Sequence, residues 1–329
     1  MSALLEVENL RVEIAARARR LVAIDDVSFS IPEGEVLGVV GESGAGKSVT
    51  GTAILGLLER PAYQAGGRIV FRGNRIDNLD GEAMRALRGR EIAAVFQDPL
   101  TSLDPLMTIG AQLVETMLTH LPIDRQEAWT RAHRLLAEVG IPAPRERLQS
   151  YPHELSGGMR QRVVLALAFC CEPKLIIADE PTTALDVSIQ AQVLDLLKRM
   201  CRERGTAVML VTHDMGVIAE AADRVAVMYA GRLVEIGPTS EILRAAAHPY
   251  TQGLMASIPT MRRRGGDLLQ IPGSMPRPDA PVPGCAFHPR CSHVMDRCRS
   301  ERPSSFVSGA SLAACWLAEH GAPAARPRP

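Results

Sequence analysis

VLGVVGESGAGKSVTGTAILGLL, residues Val36 to Leu58, decides the reading of the chain. A short apolar run, VLGVV, reads as a buried strand. GESGAGKS, Gly41 to Ser48, fits the spacing GxxxxGK[ST], and the stretch from Ser48 onward reads as a helix. Glycines let backbone N–H groups turn inward, so the N–H groups of Glu42, Ser43, Gly44, Ala45, Gly46 and Lys47, with the helix start at Ser48 and Val49, can surround phosphate oxygens. Of 37 basic residues only Lys47, Lys174 and Lys198 are lysine, yet the motif position is lysine. A compact ammonium on a flexible stem suits β- and γ-phosphates better than a planar guanidinium fork.

A phosphate cradle needs a metal and a way to activate water. LIIADE, Leu175 to Glu180, is an apolar strand ending in two carboxylates. Asp179 at the strand tip can hold Mg²⁺ beside Ser48, and Glu180 can polarise the attacking water. LSGGMRQR, Leu155 to Arg162, adds a second helix start: Ser156 is a natural N-cap, and Gly157 and Gly158 open a helix whose positive end can face an anion.

With 329 residues and 46% apolar content, the chain can bury at least one substantial core. Lys+Arg and Asp+Glu are 37 each, so no broad basic field favours nucleic acid. No apolar run approaches the roughly 18 residues of a membrane span, and Glu6 and Glu8 fall where a signal peptide needs an apolar core. These features predict a cytoplasmic protein. The apolar runs 22–31, 36–40, 68–71, 92–96, 175–178, 207–211 and 224–229 read as strands. Asp124 with Glu127 has the form of a capping box for a helix to Val139, and a helix from Val187 stops at Gly205.

The fold class is therefore α/β: a P-loop nucleotide-binding domain over residues 1–258, with a helical insertion at about 107–172. Beyond 258 prolines cluster, periodicity fades, and Cys285, Cys291, Cys298 and Cys315 crowd into the last 45 residues. A small Cys-rich loop module is expected over 259–320, with a disordered tail at 321–329. In a reducing compartment four such cysteines point to a metal site rather than to disulfides. Their spacing, Cx5Cx6Cx16C, is not the paired CxxC of zinc ribbons, and four thiolates fit either Zn²⁺ or an iron–sulfur cluster. His288 and His293 read as exposed rather than ligating, Arg290 as a screen for anionic sulfur, and Cys170 and Cys171 as small core residues. Because all four thiols lie beyond 258, their ligation is expected to order the tail without building the phosphate site.

In sum of motifs the chain resembles the ATP-binding cassette (ABC) superfamily. Lys47, Gln97, Ser156, Asp179, Glu180, Asp186 in TALD and His213 in LVTHD occur in the superfamily's order. The resemblance implies ATP and Mg²⁺ as ligands, the metal held by Ser48, Gln97 and Asp179. Gln97 is implied as the Q-loop residue linking metal and water to the membrane partner, and His213 as the switch histidine on the γ-phosphate. Asp186 is implied as a D-loop residue joining two cassettes, with Ser156, Gly157 and Gly158 of one cassette closing over ATP held by the other. The family's adenine-stacking aromatic ring is replaced here by Ile14.

FQDPLTSLDPLMTIG (96–110), HPYTQGLMASIP (248–259) and IPGSMPRP with GCAFHPRC resemble the ATPase subunits of dipeptide and oligopeptide importers, with nickel and glutathione systems as related alternatives. That resemblance implies a peripheral subunit on the cytoplasmic face of the membrane. Its implied partners are a second homologous ABC ATPase, two transmembrane permease subunits and an extracytoplasmic peptide-binding protein, and no nucleic acid. It also implies a [4Fe–4S] cluster on the four cysteines, with Zn²⁺ or unligated thiols as alternatives, and a redox-sensing tail stays open. A soluble cassette ATPase of DNA maintenance is disfavoured: only about 110 residues separate Lys47 from Ser156, too few for the long coiled coil of that class.

Overall fold

A computed structural model of the chain describes residues 3–16, 19–182, 186–257 and 270–319. The expected tail, 321–329, and the proposed border at 258 lie outside the described residues. The chain forms two compact units. One takes in the described residues of Met1–Leu4, Ile31–Glu35 and Arg72–Leu210, and the other those of Leu5–Ser30, Val36–Phe71 and Val211–Pro329. The strand Ala207–Thr212 runs through the point where the chain passes from one to the other.

In the first unit the strand Ile92–Val95 runs parallel to Leu175–Asp179, with Ile92 opposite Leu175 and Val95 opposite Ala178. Between these strands the chain is helical: Ile109–His120, Arg125–Glu138 and Gly157–Phe169 are the longer helices, and no strand intervenes. Each begins where a short polar side chain accepts a backbone N–H. Thr108, Asp124 and Ser156 accept from Ala111, Glu127 and Met159. Ala128, Ala132, Leu135 and Leu136 are the buried positions of Arg125–Glu138, the spacing of one helical face. The helix Val187–Arg204 ends at Gly205, whose φ of 64° is a left-handed stop.

The second unit carries two sheets. Leu5–Ala15 pairs antiparallel with Ala62–Phe71, and Arg20–Ile31 lies on its other side. In the other sheet Val36–Val40 is parallel to Arg224–Tyr229, which is followed outward by Arg232–Pro238, Ser311–Ala313 and Phe306–Ser308, all antiparallel. The strands Leu5–Ala15, Arg232–Pro238 and Ser311–Ala313 are absent from the strand runs read in the sequence: charged residues break the apolar runs of the first two, and the third is only three residues long. Residues beyond 270 thus share a compact unit with the phosphate-loop strand, and Ala313 pairs with Glu235. Among the described residues no helix is long and apolar enough to cross a membrane.

Asp25 ties this unit together electrostatically. Its carboxylate receives Arg11 Nη1 at 2.8 Å, Arg232 Nη2 at 2.7 Å and Arg302 Nη1 at 3.2 Å, joining three strands to the C-terminal segment. Burial opposes ionisation of Asp25, but the hydrogen bond and charge of Arg232, with the charges of Arg302 and Arg11, outweigh it and hold the carboxyl below its ordinary 3.8. The unfolded chain therefore takes up the proton first, so this contribution is complete above pH 3.8 and is lost as pH falls through the lower folded value. Asp25→Asn should cost about 2 kcal/mol at neutral pH and should remove this part of the acid sensitivity, as measured by urea unfolding at several pH values.

Candidate active site

The phosphate loop begins where the wholly buried strand Val36–Val40 ends. A Cβ on Gly41 would lie 2.2 Å from the Met228 carbonyl oxygen, and one on Gly46, at φ 104°, would lie 2.5 Å from Ile24 Cδ1. Glycine is therefore required at both ends of the turn. The helix Lys47–Ile54 follows, with Thr50 N–H donating to the Gly46 carbonyl. Lys47 is 6% exposed, and its Nζ donates to the carbonyls of Gly41 at 2.8 Å and Glu42 at 3.1 Å, which folds the ammonium over the loop. Ser43, Gly44 and Ser48 face solvent, while Ala45 is buried and Val49 half-buried. The loop thus presents exposed backbone and one buried cation, a cradle for phosphate oxygens.

Beside it, Ile14, Ala23, Val49, Thr52, Leu57 and Leu58 line a cavity of about 280 Å³. Ile14 and Val49 meet there, so the position where the family places a ring offers an aliphatic wall. His213, at the exposed start of the turn after Ala207–Thr212, belongs to the same compact unit as the phosphate loop. Asp214 next to it accepts from Gly216 N–H at 2.7 Å and caps the following helix.

The first unit holds the remaining residues. Asp179 ends the buried strand Leu175–Asp179, and Glu180 follows with φ of 47°, a left-handed conformation that costs a branched-off Cβ side chain about 1 kcal/mol. Gln97, just beyond the strand Ile92–Val95, donates from Nε2 to Glu180 Oε2 at 3.0 Å. The parallel pairing of the two strands brings these residues together across 83 positions of sequence. Ser156 and Gly157 lie exposed at the start of Gly157–Phe169, so the positive end of this helix faces outward. Asp186 stands exposed at the start of Val187–Arg204 without a side-chain cap bond. The preceding residues of TALD, 183–185, lie outside the described residues.

Cys285, Cys291, Cys298 and Cys315 line one cavity with His248, His288, His293 and Trp316. All four are free thiols. Burial, with repulsion from the other three sulfurs, pushes Cys315 up to about 12, and burial also raises Cys285 and Cys291. The space between them is about 10 Å³, room for at most one water. Among the described residues no group of three or more His, Cys, Asp or Glu is placed to hold a metal ion, so the four sulfurs as they stand are not arranged as a ligand set. Two other expectations change, while the reading of Cys170 and Cys171 holds. His288 and His293 are half-buried in the cavity lining rather than exposed. Arg290 directs its guanidinium to Glu42, Tyr229 and the carbonyls of Ile271 and Pro272, not to a screening role at the sulfurs; the cation whose charge bears on Cys285 is Arg232. Cys170 and Cys171 are buried with their sulfurs 3.7 Å apart, as core residues.

Sequence reading misses the groups that brace the phosphate loop. Tyr250 is fully buried, and its hydroxyl accepts the Glu42 N–H at 2.9 Å. Burial raises its pKa far above the ordinary value. Tyr229, Tyr250 and Phe287 pack with ring centroids 4.6 to 5.4 Å apart. Tyr229 ends a run read as a strand, but for Tyr250 and Phe287 the only signal lies in HPY and FHPRC, short aromatic pieces with no periodicity to reveal a common core.

The family described as "ABC transporter" matches residues 24–183, and "Oligopeptide/dipeptide transporter, C-terminal region" matches residues 234–298. The ATP-binding cassette MJ0796, in a dimeric post-hydrolysis state bound to ADP and Pi, superposes with a TM-score of 0.64 at 26% identity, covering 71% of this chain and 98% of that one. Fold and site together define an ABC-type ATPase. The dipeptide transport ATP-binding protein DppD of Bacillus subtilis is 45% identical over 98% of this chain and 97% of its own length. The oligopeptide transport ATP-binding protein OppD of Salmonella typhimurium is 45% identical over 95% of this chain and 93% of its own. The chain belongs to the family of dipeptide and oligopeptide transport ATP-binding proteins of ABC transporters.

Replacing the aliphatic wall by a ring tests the base site. Ile14→Tyr should tighten ATP binding by about 1 kcal/mol through stacking on adenine and widen the preference for ATP over GTP, both read by equilibrium nucleotide binding.

Proposed function

We propose that the chain binds and hydrolyses ATP to power import of dipeptides or oligopeptides through membrane partner subunits. The substrate class rests on relatives similar over nearly the whole length, including the C-terminal region. The Gln97–Glu180 hydrogen bond carries the catalytic part of the reading, because it couples a residue on an exposed turn to a carboxylate at a strand tip. Lys47 and the N–H groups of Glu42 through Val49 hold the β- and γ-phosphates. Ser48, Asp179 and Gln97 are the residues that would hold Mg²⁺, which would supply charge neutralisation on the phosphate oxygens. Glu180 orients the attacking water and draws on its proton, and His213 hydrogen-bonds the γ-phosphate. Ser156, Gly157 and Gly158 offer their exposed helix start to ATP held by a second homologous cassette, with Asp186 at the join. Two transmembrane permease subunits and an extracytoplasmic peptide-binding protein complete the assembly, and the chain sits peripherally on the cytoplasmic face of the membrane.

For the cysteine cavity the donor set is the guide. Four thiols of one cavity match the Cys₄ ligation of a [4Fe–4S] cluster. Cys285, Cys291, Cys298 and Cys315 are the residues that would hold it. Such a cluster would supply a covalent tie between the loops that carry these four residues.

Two substitutions separate binding from hydrolysis in the assembled transporter. Lys47→Ala should weaken ATP binding by about 100-fold, a loss of some 3 kcal/mol of charge-assisted contact. Glu180→Gln should keep ATP affinity but lower turnover by about 10² to 10⁴; near-normal turnover would remove Glu180 from its role. In chain purified without oxygen, iron and sulfide should be stoichiometric and should vanish in Cys291→Ser. Zinc without iron would overturn the cluster assignment.

A further inference from the structure

Arg290 sits between Cys285 and Cys291, yet its side chain belongs to the phosphate loop. It is 6% exposed, and a charge so buried is stable only with partners of opposite sign and good geometry. Nη1 donates to Glu42 Oε2 at 3.0 Å and to the Tyr229 hydroxyl at 3.2 Å. On the other side of the fork, Nε donates to the Pro272 carbonyl at 2.8 Å and Nη2 to the Ile271 carbonyl at 3.2 Å.

The segment held by these two carbonyls returns to the loop. Met275 Sδ accepts the Ala230 N–H at 3.2 Å, and a Cβ on Gly44 would lie 3.3 Å from Met275 Cε. Glu42 is held a second time through its backbone, by Tyr250. The Glu42 carbonyl is in turn an acceptor for Lys47 Nζ. A contact chain therefore runs from Arg290 through Glu42 to the loop lysine, and a parallel one runs from Arg290 through residues 271–275 to Gly44.

We propose that Arg290 is a positioning residue for the phosphate-binding loop, through which the cysteine-bearing segment sets nucleotide affinity. The sequence alone places the thiols apart from the phosphate site, whereas this fork joins the two within one compact unit. Arginine suits the task because one rigid plane reaches a carboxylate, a hydroxyl and two carbonyls at once, which lysine cannot do. The inference rests on the reading of Gly41–Ser48 as the ATP phosphate site.

The test uses the full chain purified without oxygen, with Mg-ATP binding measured by calorimetry, iron content by chemical analysis and unfolding by a thermal melt. Arg290→Gln and Glu42→Gln should each weaken Mg-ATP binding by about tenfold, and the double variant should be no worse than either single one, since both break the same link. Arg290→Lys should recover part of the affinity by keeping the charge beside Glu42. Glu42→Gln lies outside the cysteine segment, so its iron content and melting behaviour should match wild type while its affinity falls. Unchanged affinity in Glu42→Gln, or strictly additive losses in the double variant, would overturn the proposal. If wild type itself fails to bind Mg-ATP, or binds it no better than Lys47→Ala, the phosphate-site reading falls, and with it this inference.

Discussion

The rest of the site depends on the close approach of Gly41 to the Met228 carbonyl, where a single added carbon would stand 2.2 Å from oxygen. It arises because Val36–Val40 and Arg224–Tyr229 are parallel neighbours, Val40 opposite Val227, so the loop leaves its strand against the end of the adjacent one. Everything the loop does follows from that placement. Its carbonyls converge on Lys47, its exposed residues face outward, and its second residue reaches the aromatic cluster built on Tyr229.

That cluster makes the loop part of a core rather than a free turn. Tyr229 continues the strand beside the loop, Tyr250 comes from the helix Pro249–Ala256, and Phe287 from the cysteine segment. Burial there is dense enough to set protonation. His248 is 1% exposed, and burial lowers its pKa to about 3, which keeps the imidazole neutral and lets Nδ1 accept the Tyr250 N–H at 3.0 Å. Glu235, equally buried, accepts the N–H groups of Ala247 and His248, and burial raises its pKa. Backbone donors at the start of a helix thus find partners inside the fold, where water does not reach them.

The carboxylate strand meets a different requirement. Leu175–Ala178 is buried on both faces, so its polar residues can only appear at the tip, where Asp179 and Glu180 emerge together. The left-handed backbone at Glu180 is an uncommon conformation for a residue with a Cβ, and it coincides with the bond to Gln97. Local strain at a residue expected to handle a proton is a common place for a fold to store it.

Much of this architecture is written locally. The phosphate turn, the strand tip at Asp179, the N-caps at Asp124 and Ser156 and the stop at Gly205 depend on residues within a few positions of one another, and short-range sterics and capping suffice to reveal them. Ordered motifs extend that legibility to the family. The strands at 5–15 and 232–238 are hidden because charged residues break their apolar runs, and the one at 311–313 because three residues carry too little pattern without their cross-strand partners. Likewise, no pattern in the sequence distinguishes Arg290 as a partner of Glu42, 248 positions away, from Arg290 as a neighbour of sulfur. The sequence by itself determined the phosphate loop, the carboxylate strand and the class of nucleotide chemistry. Only the tertiary structure decided that the cysteine segment shares a core with that loop, because a buried guanidinium takes its partners from whatever packing brings within hydrogen-bond reach.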